Sequence, residues 1–125
     1  MKPFRKNRRP GNRARTQEEQ ARFDAIKAGN CMACMQRGID VSGQGLVQVH
    51  HLLSGGRRIG HMATVGLCYW HHQAGPYWGM THEEMRDHYG PSLAEGSRPF
   101  HAEFGSDAEL LEMQNGILGV AEVEQ

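Results

Sequence analysis

The chain has 125 residues, a formal net charge of zero and 38% hydrophobic residues. This length suits one domain with tails, and domains of this size often need disulfides or a structural metal to supplement a small core. No apolar run approaches the roughly 20 residues of a membrane span, and no apolar segment follows the basic start as in a secretory signal. We therefore expect a cytoplasmic protein with no membrane partner.

Charge is distributed unevenly along the chain. Half of the 14 Lys and Arg residues lie in residues 1–15, which include Arg8 and Arg9 and contain no acid. Such a run predicts a disordered arm that binds phosphate backbones, and a solubilising tail is the alternative. Residues 116–125 are predicted to form an acidic C-terminal tail, which leaves residues 16–115 as the folded domain.

In chain order, the sequence predicts a helix, a cysteine knuckle, two strands and three more helices. Thr16 and Thr81 are suitable helix caps, each followed three residues later by Glu. The strands are short segments rich in β-formers, separated by a glycine-rich loop. The predicted bounds are 16–29, 31–34, 46–52, 62–68, about 69–73, 81–89 and 106–114.

Two pairs of soft metal ligands have the spacing of a structural zinc site. Cys31 and Cys34 form one Cys-x-x-Cys pair, and Cys68 and His71 form a Cys-x-x-His pair. Three cysteines suit no complete disulfide framework, whereas the two pairs together make the closed four-ligand shell of structural zinc. The alternative is that they are ordinary buried cysteines.

A histidine pair, His50-His51, lies near the end of the first predicted strand, and His72 follows the zinc ligand His71 directly. Neighbouring side chains on a strand point to opposite faces, so one imidazole can bind a metal while the next faces substrate. Phosphodiester hydrolysis needs a base for water and a cation for the phosphate, and the pKa of histidine suits the base. Alternatively, these are surface or core histidines.

The order of a His-His strand, a loop, a second strand and a Cys-x-x-His-His helix start resembles the HNH, or ββα-metal (His-Me finger), endonuclease family. More closely, several segments resemble the phage Ref family of RecA-dependent recombination-enhancement nucleases, over roughly residues 28–113. These segments are HHLLSGGRRIGH (50–61), LCYWHH (67–72), GPSLA (90–94) and RPFHAEFG (98–105). The resemblance implies an α+β fold, a small zinc-braced ββα-metal domain with additional helices.

The resemblance also implies site roles. His50 and His72 match the ligands of the catalytic divalent metal, and His51 matches the general base. The structural Zn²⁺ site is matched by Cys31, Cys34, Cys68 and His71.

The chain departs from the HNH pattern in three places, one of which is a spacing from His61 to Cys68 that is longer than usual. The middle Asn is absent, and His61 is the nearest candidate for its place. The position four residues after His72 is Pro76, which cannot bind a metal. We expect His101 to replace that ligand, because it lies between aromatic residues away from any clear helix. The alternatives on the predicted helix are His82 and His88.

Candidate nucleic-acid contacts are Arg57 and Arg58 in the loop, His61 beyond it, and Arg8 and Arg9 in the arm. Guanidinium groups suit phosphate, although the loop arginines can equally be an exposed charged hairpin. Four aromatic residues are predicted to pack in the core around the zinc rather than stack on bases. They are Tyr69, Trp70, Tyr77 and Trp78.

The sequence therefore predicts a metal-dependent DNA endonuclease of phage or prophage origin in the cytoplasm of a bacterial host. The catalytic metal is left open among Mg²⁺, Mn²⁺ and Zn²⁺. A RecA filament as partner follows from the resemblance alone. The alternatives are a zinc-stabilised nucleic-acid-binding module without catalysis, and a protein in which both metals are structural zinc. His50, His51 and His72 favour the enzyme, because a binding module does not need all three.

Overall fold

A computed structural model describes residues 14–120, and these form an α+β fold of six α-helices and two small antiparallel sheets. Arg8 and Arg9 of the predicted arm lie outside the described residues. The helices are α1 (Gln17–Ala28), α2 (Met32–Gln36), α3 (Tyr69–Gln73), α4 (His82–Tyr89), α5 (Ser97–Phe104) and α6 (Asp107–Leu118). The strands are β1 (Val47–His51), β2 (Leu53–Ser54), β3 (Arg57–Arg58) and β4 (Thr64–Cys68).

Local capping signals decide where three helices begin. Thr16, Thr81 and Ser106 each accept a hydrogen bond from the backbone of a Glu three residues later, and the Glu side chain accepts one from the cap. These capping boxes satisfy amide groups that a helix start leaves unpaired. All three boxes confirm the predicted helix starts. The last helix runs on to Leu118, past its predicted end at 114 and across the predicted start of the tail at 116.

Helix α5 was not predicted, and the expectation that His101 lies away from a clear helix is wrong. The helix starts at Ser97, after Gly96 at a φ of 159°, and contains Pro99 in its first turn. Proline is tolerated there because its missing N–H would have no partner inside the helix. The Arg-Pro-Phe sequence therefore begins a helix instead of interrupting one.

The central sheet pairs β1 with β4 in antiparallel register, with His50 opposite Val65 and His51 opposite Thr64. All of β4 is buried, and the Gln114 side chain of α6 accepts a 2.7 Å hydrogen bond from the amide of Gly66 within it. The other sheet is the β2–β3 hairpin. Its turn is Gly55-Gly56 at φ 63° and 81°, the backbone that two-residue hairpins require.

The core packs α1, α2, α3 and α6 against β4. Trp70 is fully buried and donates a 2.9 Å hydrogen bond from Nε1 to the carbonyl of Gly90. The predicted aromatic core is right for Trp70 and Tyr77 but wrong for Tyr69 and Trp78, which are 41% and 72% exposed. No helix within residues 14–120 combines the length and apolarity that crossing a bilayer demands.

Candidate functional site

The Cys3His cluster, defined as Cys31, Cys34, Cys68 and His71, comes together in the fold. All four side chains are buried, and their ligand atoms lie within 4.8 Å of one another. Cys31 caps α2 and Cys68 precedes α3, so each pair spans a helix start. The group can hold a metal ion, and three sulfurs with one imidazole are donors that zinc prefers.

The His71 ring is oriented for this cluster by a bond on its far side. Its Nε2 donates to the carbonyl of Tyr89 at 2.8 Å, which leaves Nδ1 facing the cysteine sulfurs at 3.3–3.6 Å. A carbonyl on the second ring nitrogen is the usual way in which a metal-binding imidazole is fixed. Burial lowers the pKa of His71, but Cys31 and Cys68 outweigh it and raise the pKa to about 10.

On the other side of α3, His72 faces strand β1. Its Nδ1 lies 2.7 Å from Oε1 of Gln48, and its ring meets the ring of His50 with centroids 5.1 Å apart. Gln48 and His50 share a strand face because they are two residues apart. The amide oxygen accepts the Nδ1 proton, so Nε2 of His72 keeps a lone pair that can bind a metal.

His51 has different neighbours. Its Nε2 lies 3.0 Å from Nδ1 of His61, and both rings meet the edge of Phe23 from α1, at centroid distances of 5.5 and 5.6 Å. When Nε2 of His51 donates to His61, Nδ1 of His51 carries the lone pair that a base needs. The strand thus separates its two histidines, with His50 toward α3 and His51 toward α1.

His61 is only 5% exposed, which disfavours the predicted contact with nucleic acid. Its loop is tied to the core through Thr64, whose hydroxyl donates to the His61 carbonyl at 3.0 Å. Arg22 of α1 donates in turn to the hydroxyl of Thr64 at 2.9 Å and to its carbonyl at 2.6 Å. This buried chain of bonds holds the His61 ring against His51.

Two further groups act on His50 from α5 and α6. Burial first, then the charges of His72 and His101, lower the pKa of His50 to about 4, and Asp107 opposes them. His101 lies on α5 with Nδ1 2.8 Å from the carbonyl of Gly105, and its Nε2 lies 3.5 Å from Oδ1 of Asp107. The alternatives to His101 contact other groups, His82 the ring of Trp70 and His88 the ring of Tyr89.

Apart from the Cys3His cluster, residues 14–120 contain no group of three or more His, Cys, Asp or Glu whose ligand atoms are as close together. His50, His72, His101 and Asp107, which we call the open cluster, therefore form a looser arrangement. His50, His72 and His101 are half-buried, in contrast to the four buried ligands of the closed one.

The arginines near His51 are Arg58 on the β2–β3 hairpin and Arg15 just before α1. Burial, then Arg58 and His61, and more weakly His50 and Arg15, lower the pKa of His51 to about 4. The guanidinium of Arg15 lies 5.1 Å from the ring centre of Phe23. Arg57 and Arg58 are exposed. The positive charges that act on His51 therefore come from the hairpin, through Arg58, and from the start of α1, through Arg15.

Sequence reasoning missed five residues of the site. Only Gln48 had a local signal, its position two residues before His50 on the same strand. The others are Arg22, Phe23, Thr64 and Asp107. Arg22 is remote in sequence from Thr64, Phe23 from His51, and Asp107 from His50.

Comparison with known proteins adds one finding. The model of a protein family described as recombination enhancement, RecA-dependent nuclease matches residues 15–119. This match over most of the chain confirms the resemblance that the sequence segments indicated. No curated protein matches the chain.

Proposed function

Because the chain belongs to the RecA-dependent nuclease family, a family of nucleases linked to RecA, we propose that it is a metal-dependent DNA endonuclease of the HNH type. The observation that carries this proposal is the arrangement of β1. His51 meets His61 on one side, and His50 meets His72 on the other. In this proposal strands β1 and β4 with helix α3 would be the ββα unit of the HNH type.

In this proposal the Cys3His cluster holds a structural Zn²⁺ and does no chemistry. Its closed set of four protein ligands leaves no position for substrate. It fixes α3 to α2, and His72 is the residue after the zinc ligand His71. The cluster therefore positions a ligand of the second site.

His50, His72 and His101 would hold the catalytic divalent metal, which when bound stabilises negative charge on the phosphate and leaving oxygen. Their fit rests on the bonds behind them. Gln48 accepts from His72, and the carbonyl of Gly105 accepts from His101. Each bond leaves the Nε2 lone pair for a metal.

His51 would take the proton from the attacking water. Its contact with His61, at 3.0 Å between Nε2 and Nδ1, would hold the ring in place and leave Nδ1 of His51 for the water. Burial and Arg58 keep His51 neutral at pH 7, because they lower its pKa to about 4. A bound phosphate would offset the charge of Arg58 and Arg15, raise this pKa and strengthen the base.

The partners proposed are DNA and a RecA filament. Arg57, Arg58 and Arg15 would hold the phosphate backbone near His51, and residues 1–15 with Arg8 and Arg9 would extend this contact. The proposed domain starts at 16 and extends past the expected end at 115 to the end of α6 at Leu118. The proposed setting is the cytoplasm of a bacterial host that carries a phage or prophage.

The test is a cleavage assay on single-stranded, duplex and RecA-coated DNA with Mg²⁺ or Mn²⁺. We expect His51→Ala to slow cutting at least about 10²-fold, the usual contribution of a general base, without loss of zinc or folding. His88→Ala is the matched control, an exposed histidine on α4 that should cut normally. If the wild type cuts none of the substrates, the alternative of a zinc-stabilised binding module replaces the nuclease.

A further inference from the structure

We propose that Asp107 is a fourth protein ligand of the catalytic metal site, which it completes together with His50, His72 and His101. This inference rests on the proposed function. Within the HNH pattern, the position where a further ligand is expected is Pro76, so the open cluster needs donors from outside the ββα unit. Helices α5 and α6 supply them.

Asp107 is held in place by the start of α6. It is the first residue of that helix, directly after Ser106, whose capping box with Glu109 fixes the backbone. Gly105, just before, has a φ of 101° and its carbonyl accepts from His101. The same turn therefore orients both side chains. The Asp107 side chain is 45% exposed, so it can rotate toward a cation.

The hydrogen bonds leave two acceptors facing each other. Nδ1 of His101 donates to Gly105 at 2.8 Å, so in the neutral ring Nε2 carries a lone pair. That Nε2 lies 3.5 Å from Oδ1 of Asp107. A lone pair and a carboxylate repel unless a cation or a proton lies between them, and a divalent metal bound by both removes the conflict.

Asp107 and His101 belong to the same neighbourhood as His50 and His72. The charges that act on His50 come from His72, Asp107 and His101, and the rings of His50 and His72 are 5.1 Å apart. Three neutral imidazoles alone bring no negative charge to a divalent ion. A carboxylate adds the hard oxygen donor that Mg²⁺ and Mn²⁺ prefer.

A carboxylate at a helix start also stabilises the helix through its dipole. That role predicts a small loss of thermal stability in Asp107→Asn and no change in metal binding. A ligand role predicts weaker metal binding as well. Glu112→Gln is the matched control, since it removes the same charge from an exposed position farther along α6.

The experiment measures Mn²⁺ binding by electron paramagnetic resonance of the free ion, with zinc content determined separately and DNA cleavage assayed in parallel. We expect Asp107→Asn to weaken Mn²⁺ binding at least tenfold at unchanged zinc content, and Glu112→Gln to bind as the wild type does. Cleavage by Asp107→Asn should recover as Mn²⁺ is raised.

Equal Mn²⁺ affinity in Asp107→Asn and the wild type would overturn the inference and leave the nuclease proposal intact. A wild type that neither binds Mn²⁺ nor cuts DNA would overturn both. If Asp107→Asn fails to fold, Asp107→Ser takes its place, because serine is tolerated at a helix start but has no carboxylate. Unchanged Mn²⁺ affinity in that variant would equally overturn the inference.

Discussion

His71 and His72 are neighbours in the chain and on the same helix, yet they belong to two clusters of opposite character. His71 is fully buried with three cysteines, whereas His72 is half-buried and faces His50 of strand β1. Both rings have one nitrogen paired with a fixed oxygen, from Tyr89 and from Gln48 respectively. Each imidazole is therefore oriented by a hydrogen bond to a fixed oxygen, and the two differ in how deeply they are buried.

Burial decides what each cluster can do. A closed shell of four buried ligands contributes its binding free energy to folding, because the unfolded chain has no such site. A half-buried group of histidines adds little to stability but can meet water and phosphate. Helix α3 joins the two, so under the proposed function the Cys3His cluster would support the open cluster. The predictions below test this division and the surroundings of His51, from the largest expected effect to the smallest.

The largest effect on stability is expected from removing a ligand of the Cys3His cluster. Cys34→Ala removes one zinc ligand, and structural zinc sites contribute on the order of 10 kcal/mol, comparable with the whole stability of a domain. We expect loss of the folded state, measured by circular dichroism and zinc content. His50→Ala is the comparison and should stay folded. A folded Cys34→Ala protein with unchanged melting would contradict the structural role.

The next largest effect on stability is expected from Phe104, which packs against the Cys3His cluster. Phe104 is 2% exposed and its ring meets that of His71, with centroids 5.2 Å apart. Phe104→Ala should cost about 3–5 kcal/mol in the free energy of unfolding, the usual range for such a cavity. Denaturant titration measures it, and the exposed Trp78→Ala serves as control. Cleavage per folded molecule should change far less than stability, since the Phe104 ring packs against His71 of the Cys3His cluster.

At the other face of strand β1, His61 is expected to act as a positioning residue for His51. His61→Ala should lower kcat by about 10–100-fold, the usual scale for outer-shell partners, while KM for DNA stays the same. His61→Asn, which restores the residue type of the HNH pattern, should recover part of the loss. Steady-state cleavage kinetics measure both variants. A rise in KM with normal kcat would instead indicate that His61 contacts DNA.

The smallest effect is expected at the hairpin. Arg58 is exposed, so Arg58→Ala should leave stability unchanged and weaken DNA binding. If the guanidinium neutralises one phosphate, the slope of log affinity against log salt should fall by about one. Binding titrations at several salt concentrations test this, with Arg86→Ala on α4 as control. An unchanged slope would mean that Arg58 is an exposed hairpin charge that does not contact DNA.

The part of the site that sequence could predict is the part encoded by short spacings. The two ligand pairs of the Cys3His cluster, the Thr16 and Thr81 caps, and His72 beside His71 are all set by residues within four positions of each other. Helical and turn geometry brings such residues together whatever the rest of the chain does. The family match to residues 15–119 confirms the resemblance that the longer segments indicated.

What the tertiary structure alone decided is which groups meet the histidines of β1. His61 reaches His51 because Arg22 and Thr64 hold its loop from α1, and Asp107 reaches the open cluster because α6 packs on β4. His61 is 10 positions from His51, and Asp107 is 57 positions from His50, so no local sequence pattern indicates these pairs. The sequence by itself determined the ligand types and their local turns, and packing of the helices on the sheet determined the neighbours, because through-space contacts depend on how buried faces fit.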